Sequence, residues 1–127
     1  MSAPLIRLAD LNKSYGEGSV INHVLRGLTL EVGKGEMVAI TGASGSGKST
    51  LLNIIGGLDQ AYTGQVEVAG RRIMDLKDKA LSRYRNRTVG FIFQQFHLLP
   101  HLTVVDNVCL PSWFDRAQES TRADLRV

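Results

Sequence analysis

The residues best equipped for chemistry lie side by side: Gly42-Ala43-Ser44-Gly45-Ser46-Gly47-Lys48-Ser49, followed by Thr50. Three glycines at this spacing let the backbone turn sharply and adopt positive φ angles that side chains oppose. A turn built this way aims successive N–H groups at one point and forms a nest for an anion. The full pattern is G-x-x-x-x-G-K-[ST], which adds a mobile cation and a hydroxyl to the nest. Lys48 can reach between β- and γ-phosphates as a point charge, and that charge also makes it a candidate catalytic group. The Ser49 hydroxyl suits magnesium, a hard ion that prefers oxygen ligands. Thr50 offers a further donor to the α-phosphate. Gly42, Ser44, Gly45, Ser46, Gly47, Lys48, Ser49 and Thr50 are therefore predicted to hold a magnesium–nucleoside triphosphate. The ligand-free alternative is a glycine-rich turn between a strand and a helix.

Such a cradle needs a strand before it and a helix after it. Residues 36–41 carry a short apolar run, Met37 to Ile40, which predicts a buried strand of a covered sheet. From Lys48 onward, Leu51, Leu52, Ile54, Ile55 and Leu58 recur at helical spacing, and Gly56-Gly57 marks the helix end. Upstream, residues 5–11 and 24–32 alternate with period two around the turn-rich segment 15–19, which predicts an antiparallel start. Downstream, residues 63–70 alternate again, with Gly70-Arg71-Arg72 as a turn. Residues 78–87 read as a polar helix and 89–93 as a second buried strand. Thr103 is a candidate N-cap for a helix over 103–108 that Pro111 interrupts or closes. Residues 117–127 look amphipathic.

Composition narrows the function class. The chain has 127 residues, 43% apolar and 21% charged, a globular balance. Its apolar stretches, at 51–55 and 90–93, are too short to span a bilayer, and residues 1–10 lack a signal-peptide pattern. A cytoplasmic protein is expected, with no direct membrane insertion. Arg83, Arg85 and Arg87 are the one basic cluster in a chain of formal charge +3, and a solvated helix face explains them without nucleic acid. A single cysteine, Cys109, excludes an internal disulfide and reads as a packed thiol. His23, His97 and His101 lack metal-ligand spacing.

Tyr15, the cradle at 42–50 and the stretch 89–108 together resemble the nucleotide-binding subunit of ATP-binding cassette transporters. The approach GEMVAITG, Gly57-Leu58-Asp59 and Gly90-Phe91-Ile92-Phe93-Gln94 look most like the lipoprotein-release and macrolide-export branch. The resemblance implies an α/β P-loop NTPase, here its N-terminal portion, with an antiparallel β subdomain and part of a parallel core sheet. It makes Tyr15 the ring that stacks on adenine, although a tyrosine in a turn serves equally as a half-buried anchor. It makes Gln94 the glutamine that contacts magnesium or the attacking water, a metal-binding and catalytic role. Gln95 beside it fits a solvated loop residue. The loop from Gln94 to Leu102 would face a transmembrane permease, while ordinary core packing of its leucines is the alternative. ATP and Mg2+ are the implied cofactors, a homodimer of full-length subunits the implied assembly, and the cytoplasmic face of the inner membrane the implied location.

The same resemblance implies parts that are not in this sequence. There is no Leu-Ser-Gly-Gly-Gln-like signature, no apolar strand ending in Asp-Glu, and no switch histidine, since His97 and His101 come too early. The 127 residues read as one partial ATP-binding domain. Phosphoryl transfer to water needs a group that orients the nucleophile, so hydrolysis is expected only of a longer form. A non-hydrolysing nucleotide-binding module is a second reading. A P-loop kinase or GTPase is a third, opposed by the Gln94 segment and by the absence of an Asn-Lys-x-Asp motif.

Overall fold

The computed structural model describes residues 3–113, and two compact units divide the chain, Met1–Leu81 and Ser82–Val127. The predicted amphipathic segment at 117–127 lies outside the described residues.

The first unit is built on a four-stranded sheet in the order β2-β1-β3-β4. β1 is Ile6–Tyr15, β2 Asn22–Val32, β3 Thr63–Val68 and β4 Arg71–Arg72. All pairings are antiparallel, with Ile6 opposite both Val32 and Val68. Antiparallel neighbours need only a tight turn, which the segments between β1 and β2 and at Ala69-Gly70 provide. Arg71 and Arg72, expected in that turn, instead pair with Val68 and Glu67.

β1 changes face halfway along. Leu8 is buried, and the next buried positions are Leu11 and Lys13, so the parity switches from even to odd. The register slips between Leu8 and Leu11, with Asp10 in the left-handed region at φ 49°. This is a β-bulge, an extra residue that re-aims every later side chain. Asn12 braces it by donating to the Asp10 carbonyl at 2.8 Å and accepting from Gly27 N–H at 2.7 Å. A Cβ on Gly64 would stand 2.1 Å from the Asp10 carbonyl oxygen, so β3 needs glycine there. The bulge turns Lys13 and Tyr15 onto one face of the strand.

α1, Lys48–Ile55, packs against β3 and buries Leu51 and Ile54. Its end is as predicted: Gly56 is the C-cap and donates to Leu52 at 2.8 Å. Leu8, Leu11, Val66, Val68, Ile54 and Ile73 are buried as the core of this unit, each aliphatic side chain contributing about 1.5–3 kcal/mol. A 3-10 turn, Ile73–Asp75, follows β4. Gln60 donates to the carbonyls of Ile73 and Leu76, both at 2.8 Å, and so ties the turn to the chain after α1.

α2 occupies Asp78–Arg87, the span expected, with Tyr84 buried and Arg83 and Arg87 exposed. In the second unit α3 runs Val104–Trp113. Thr103 caps it, accepting from Asp106 N–H at 3.1 Å while donating to the Asp106 carboxylate at 2.7 Å. Pro111 does not close this helix but lies inside it, two residues before Trp113. Cys109 is buried, as expected of a packed thiol.

The two predicted buried strands are the main departure. Residues 36–41 and 89–93 form no strand and have no ladder partners among the described residues, and Met37 and Ile92 are fully exposed. An apolar run specifies a buried strand only where neighbours cover both faces, and parallel neighbours arrive through crossovers of a dozen or more residues. Neither segment has such neighbours among the described residues.

Candidate functional site

The glycine-rich segment forms the turn that its sequence specifies. Gly45 has φ 76° and Gly47 φ 94°, both in the region that favours glycine. Gly47 is also the N-cap of α1, where space is short: a Cβ there would meet Val24 Cγ1 at 2.9 Å and Leu25 Cδ2 at 3.0 Å. At Gly42 a Cβ would stand 2.6 Å from Ser46 Oγ. Left-handed geometry and close packing therefore both require glycine at Gly47. Ser46 N–H donates to the Ala43 carbonyl at 3.2 Å, and Leu51 N–H to the Gly47 carbonyl at 2.9 Å as the first turn of α1 closes.

The N–H groups of Lys48, Ser49 and Thr50 belong to that first turn and have no acceptor inside the helix. No acidic side chain lies in the turn to compete for them. Val24, Ser44, Gly45, Gly47, Lys48, Ser49 and Thr50 line a cavity of about 390 Å3 in front of these groups. A positive helix end, amides without intrahelical acceptors and an open cavity together suit an anion. Lys48 is folded back onto the loop: its Nζ donates to the carbonyls of Gly42 and Ala43, each at 2.7 Å, and to Ser46 Oγ at 3.3 Å.

The donor set also fits magnesium held jointly with phosphate. Ser49 is exposed at the cavity, and its hydroxyl is a hard oxygen ligand. Among the described residues no group of three or more His, Cys, Asp and Glu side chains could hold a metal by itself. A magnesium ion that keeps several waters and binds through phosphate oxygens needs no such cage.

Tyr15 stands next to this cradle in the same unit. Its hydroxyl lies 3.5 Å from Thr50 Oγ1 and donates to Asp59 Oδ2 at 3.3 Å. The residue keeps 45% of its surface exposed. Below the ring is Lys13, whose Nζ lies 4.6 Å from the ring centre. Lys13 is itself only 5% exposed and is fully paired, to Asp59 Oδ2 at 2.8 Å, to Asp59 Oδ1 at 3.0 Å and to the Ala61 carbonyl at 2.7 Å. Burial pushes the Asp59 carboxyl upward. Hydrogen bonds from Lys13, from Ala61 N–H and from Tyr15, with the Lys13 charge, more than offset this and hold it below the ordinary carboxylate value. The residues that sequence reasoning missed are Lys13 and Val24. Asp59 was visible only as part of Gly57-Leu58-Asp59. The spacing Leu11, Lys13, Tyr15 was the available signal, a lysine on the buried parity of a strand.

In the second unit, Gln94 follows Phe93 and is exposed. The Phe93 ring stacks on Phe91 with centroids 5.3 Å apart and meets His97 edge-on at 4.8 Å. Phe96 and Leu98 are exposed rather than packed in a core. Asn107 on α3 pins the end of the loop: its side chain accepts from Leu99 N–H at 2.8 Å and donates to the carbonyls of Leu99, Leu102 and Thr103. Among the described residues no helix is long and apolar enough to cross a membrane.

The chain is similar to several known proteins. The lipoprotein-releasing system ATP-binding protein LolD of Xylella fastidiosa (strain Temecula1) is 50% identical over 111 residues, 87% of this chain and 46% of that protein. The macrolide export ATP-binding/permease protein MacB of Shigella flexneri is 50% identical over 123 residues, 94% of this chain and 19% of that protein. The dimeric structure of a post-hydrolysis state of the ATP-binding cassette MJ0796, bound to ADP and Pi, superposes with a TM-score of 0.79 at 44% identity. That superposition covers 86% of this chain and 47% of the MJ0796 chain. The chain thus spans less than half the length of these relatives. The fold is that of a P-loop ATPase of the cassette type, in its N-terminal part. Residues 25–126 match the ABC transporter family, and the chain belongs to it.

Proposed function

We propose that this chain supplies the nucleotide-gripping part of an ATP-binding subunit that drives a membrane transporter of the lipoprotein-release or macrolide-export kind. The observation that carries the reading is the turn at residues 42–50, with left-handed Gly45 and Gly47 and the ammonium of Lys48 folded onto the carbonyls of Gly42 and Ala43. In this reading Gly42, Ser44, Gly45, Ser46 and Gly47 wrap the β-phosphate with backbone N–H groups. Lys48 leaves the loop carbonyls for the β- and γ-oxygens, which offer it formal negative charge in place of neutral acceptors. Ser49 ligates Mg2+ and Thr50 meets the α-phosphate. Tyr15 stacks on adenine.

Gln94 completes the magnesium and water contacts. The loop from Gln94 to Leu102 docks a transmembrane permease, a role suited to the exposed side chains of Phe96 and Leu98. Full-length copies pair around two ATP molecules, drawn together by γ-phosphate contacts and released on hydrolysis. The subunit sits on the cytoplasmic face of the membrane through its permease. Residues 1–127 by themselves bind ATP without turning it over, because the Asp-Glu strand whose carboxylate would activate the water that Gln94 contacts is not among them.

Titration with magnesium–ATP tests the reading. Lys48→Ala is expected to abolish binding; unchanged affinity would refute the cradle. ATPase activity of residues 1–127 above background, lost in Lys48→Ala, would refute the division of labour.

A further inference from the structure

Lys13 and Asp59 form the most enclosed charged pair of the described residues, and the phosphate cradle does not use either. A buried ion pair is a weak source of stability, since desolvation offsets most of the attraction. Its geometry here has another consequence. The Lys13 ammonium closes one face of the Tyr15 ring at 4.6 Å, while the Asp59 carboxylate accepts from both Lys13 and the Tyr15 hydroxyl. Asp59 in turn is anchored to the end of α1, its N–H bonded to the Asn53 carbonyl at 3.3 Å. The ring is thus held at its hydroxyl and along one face, while 45% of the residue stays open to solvent.

We propose that Lys13 and Asp59 are positioning residues for nucleobase binding: they hold the Tyr15 ring so that only the face opposite the ammonium is offered to a purine. This inference rests on the reading of Tyr15 as the stacking residue. Several observations favour it over a purely structural role. Lys13 reaches the pair only because the bulge at Asp10 turns positions 11, 13 and 15 to one face. All the charge on Lys13 is already satisfied by Asp59 and Ala61, so no donor is left to reach a phosphate. Its remaining partner is a ring, and a cation over an aromatic face is attracted by the ring quadrupole and restrains its tilt. A ring fixed in advance loses less freedom when a base stacks on it.

The experiment compares affinities of the 127-residue chain for magnesium–ATP and for inorganic tripolyphosphate. Variants are Tyr15→Ala, Lys13→Met, Tyr15→Phe and the double variant Lys13→Met/Tyr15→Ala. Lys13→Met is expected to weaken ATP by about tenfold and leave tripolyphosphate unchanged. Its effect should vanish in the Tyr15→Ala background. Tyr15→Phe keeps the ring but loses its bond to Asp59, and should weaken ATP by about threefold with tripolyphosphate unchanged. If Lys13→Met shows no cooperative urea transition, Tyr15→Phe decides alone. Full ATP affinity in folded Lys13→Met and Tyr15→Phe, with loss in Tyr15→Ala, would overturn the positioning role and leave stacking intact. Equal losses for both ligands would overturn it in favour of a structural role. Undiminished ATP binding by Tyr15→Ala would overturn stacking and positioning together.

Discussion

The hydroxyl of Tyr15 and Oγ1 of Thr50 lie 3.5 Å apart, joining the end of β1 to the first turn of the helix that carries the phosphate cradle. The ring proposed to stack on the base and the hydroxyl proposed to meet the α-phosphate are thus joined by one contact between elements far apart in sequence. Tyr15→Ala should weaken ATP by about tenfold and inorganic triphosphate hardly at all, since stacking on an aromatic contributes about 1–3 kcal/mol per base. Isothermal titration with both ligands checks this, and equal losses would remove the stacking role.

Gly64→Ala should be among the most damaging small substitutions. The added methyl would stand 2.1 Å from the Asp10 carbonyl oxygen, at a φ of 95° that alanine resists. Strain of each kind costs about 1–3 kcal/mol, so the urea midpoint should fall well below the native value. A midpoint unchanged by Gly64→Ala would mean that the bulge is not as described.

Gly47→Ala separates packing from ligand binding. Here the methyl meets side-chain atoms of Val24 and Leu25 at 2.9 and 3.0 Å and the Val24 carbonyl oxygen at 3.2 Å, with φ 94°. The stability loss should be about 1–3 kcal/mol, smaller than at Gly64. Triphosphate affinity should fall beyond that, because the residue lines the cavity and caps α1. A binding loss without any stability loss would contradict the geometry.

Asp59 predicts a pH dependence. Its folded-state value lies below the ordinary one, so the unfolded chain binds the proton more readily. The associated stability is present above the unfolded carboxylate value and is lost as pH falls through the lowered folded value. Asp59→Asn should therefore be less stable than the native chain at neutral pH, and the gap should narrow in acid. Urea unfolding at a series of pH values measures it; a gap that widens in acid would contradict the pairing with Lys13.

The sequence and the structure agree where a local rule decides the outcome. The turn at 42–50 is dictated by glycines that must take positive φ, and α1 by leucines and isoleucines at helical spacing. Period-two alternation located β2 and β3, and Thr103 marked the start of α3. Segments 36–40 and 89–93 differ because their burial depends on neighbours rather than on their own residues. Met37 is apolar enough for a core, yet it lies exposed without a ladder partner among the described residues.

Pro111 differs for another reason: a proline deletes one helical hydrogen bond and bends the helix, without always ending it. The bulge at Asp10 was hidden because aspartate tolerates left-handed angles without advertising them. Only the step from Leu8 to Leu11 in the buried series betrays it. Lys13 was passed over for the same reason, since its burial follows from the changed parity.

The central claim is that the amides of residues 45–50 grip a polyphosphate, and amide NMR reads those atoms directly. Titrating the 15N-labelled chain with magnesium and a non-hydrolysable ATP analogue should move the N–H resonances of Gly45, Gly47, Lys48, Ser49 and Thr50 first and furthest. The same shifts should be absent in Lys48→Ala. Saturable binding that leaves these five resonances in place and moves others would contradict the account.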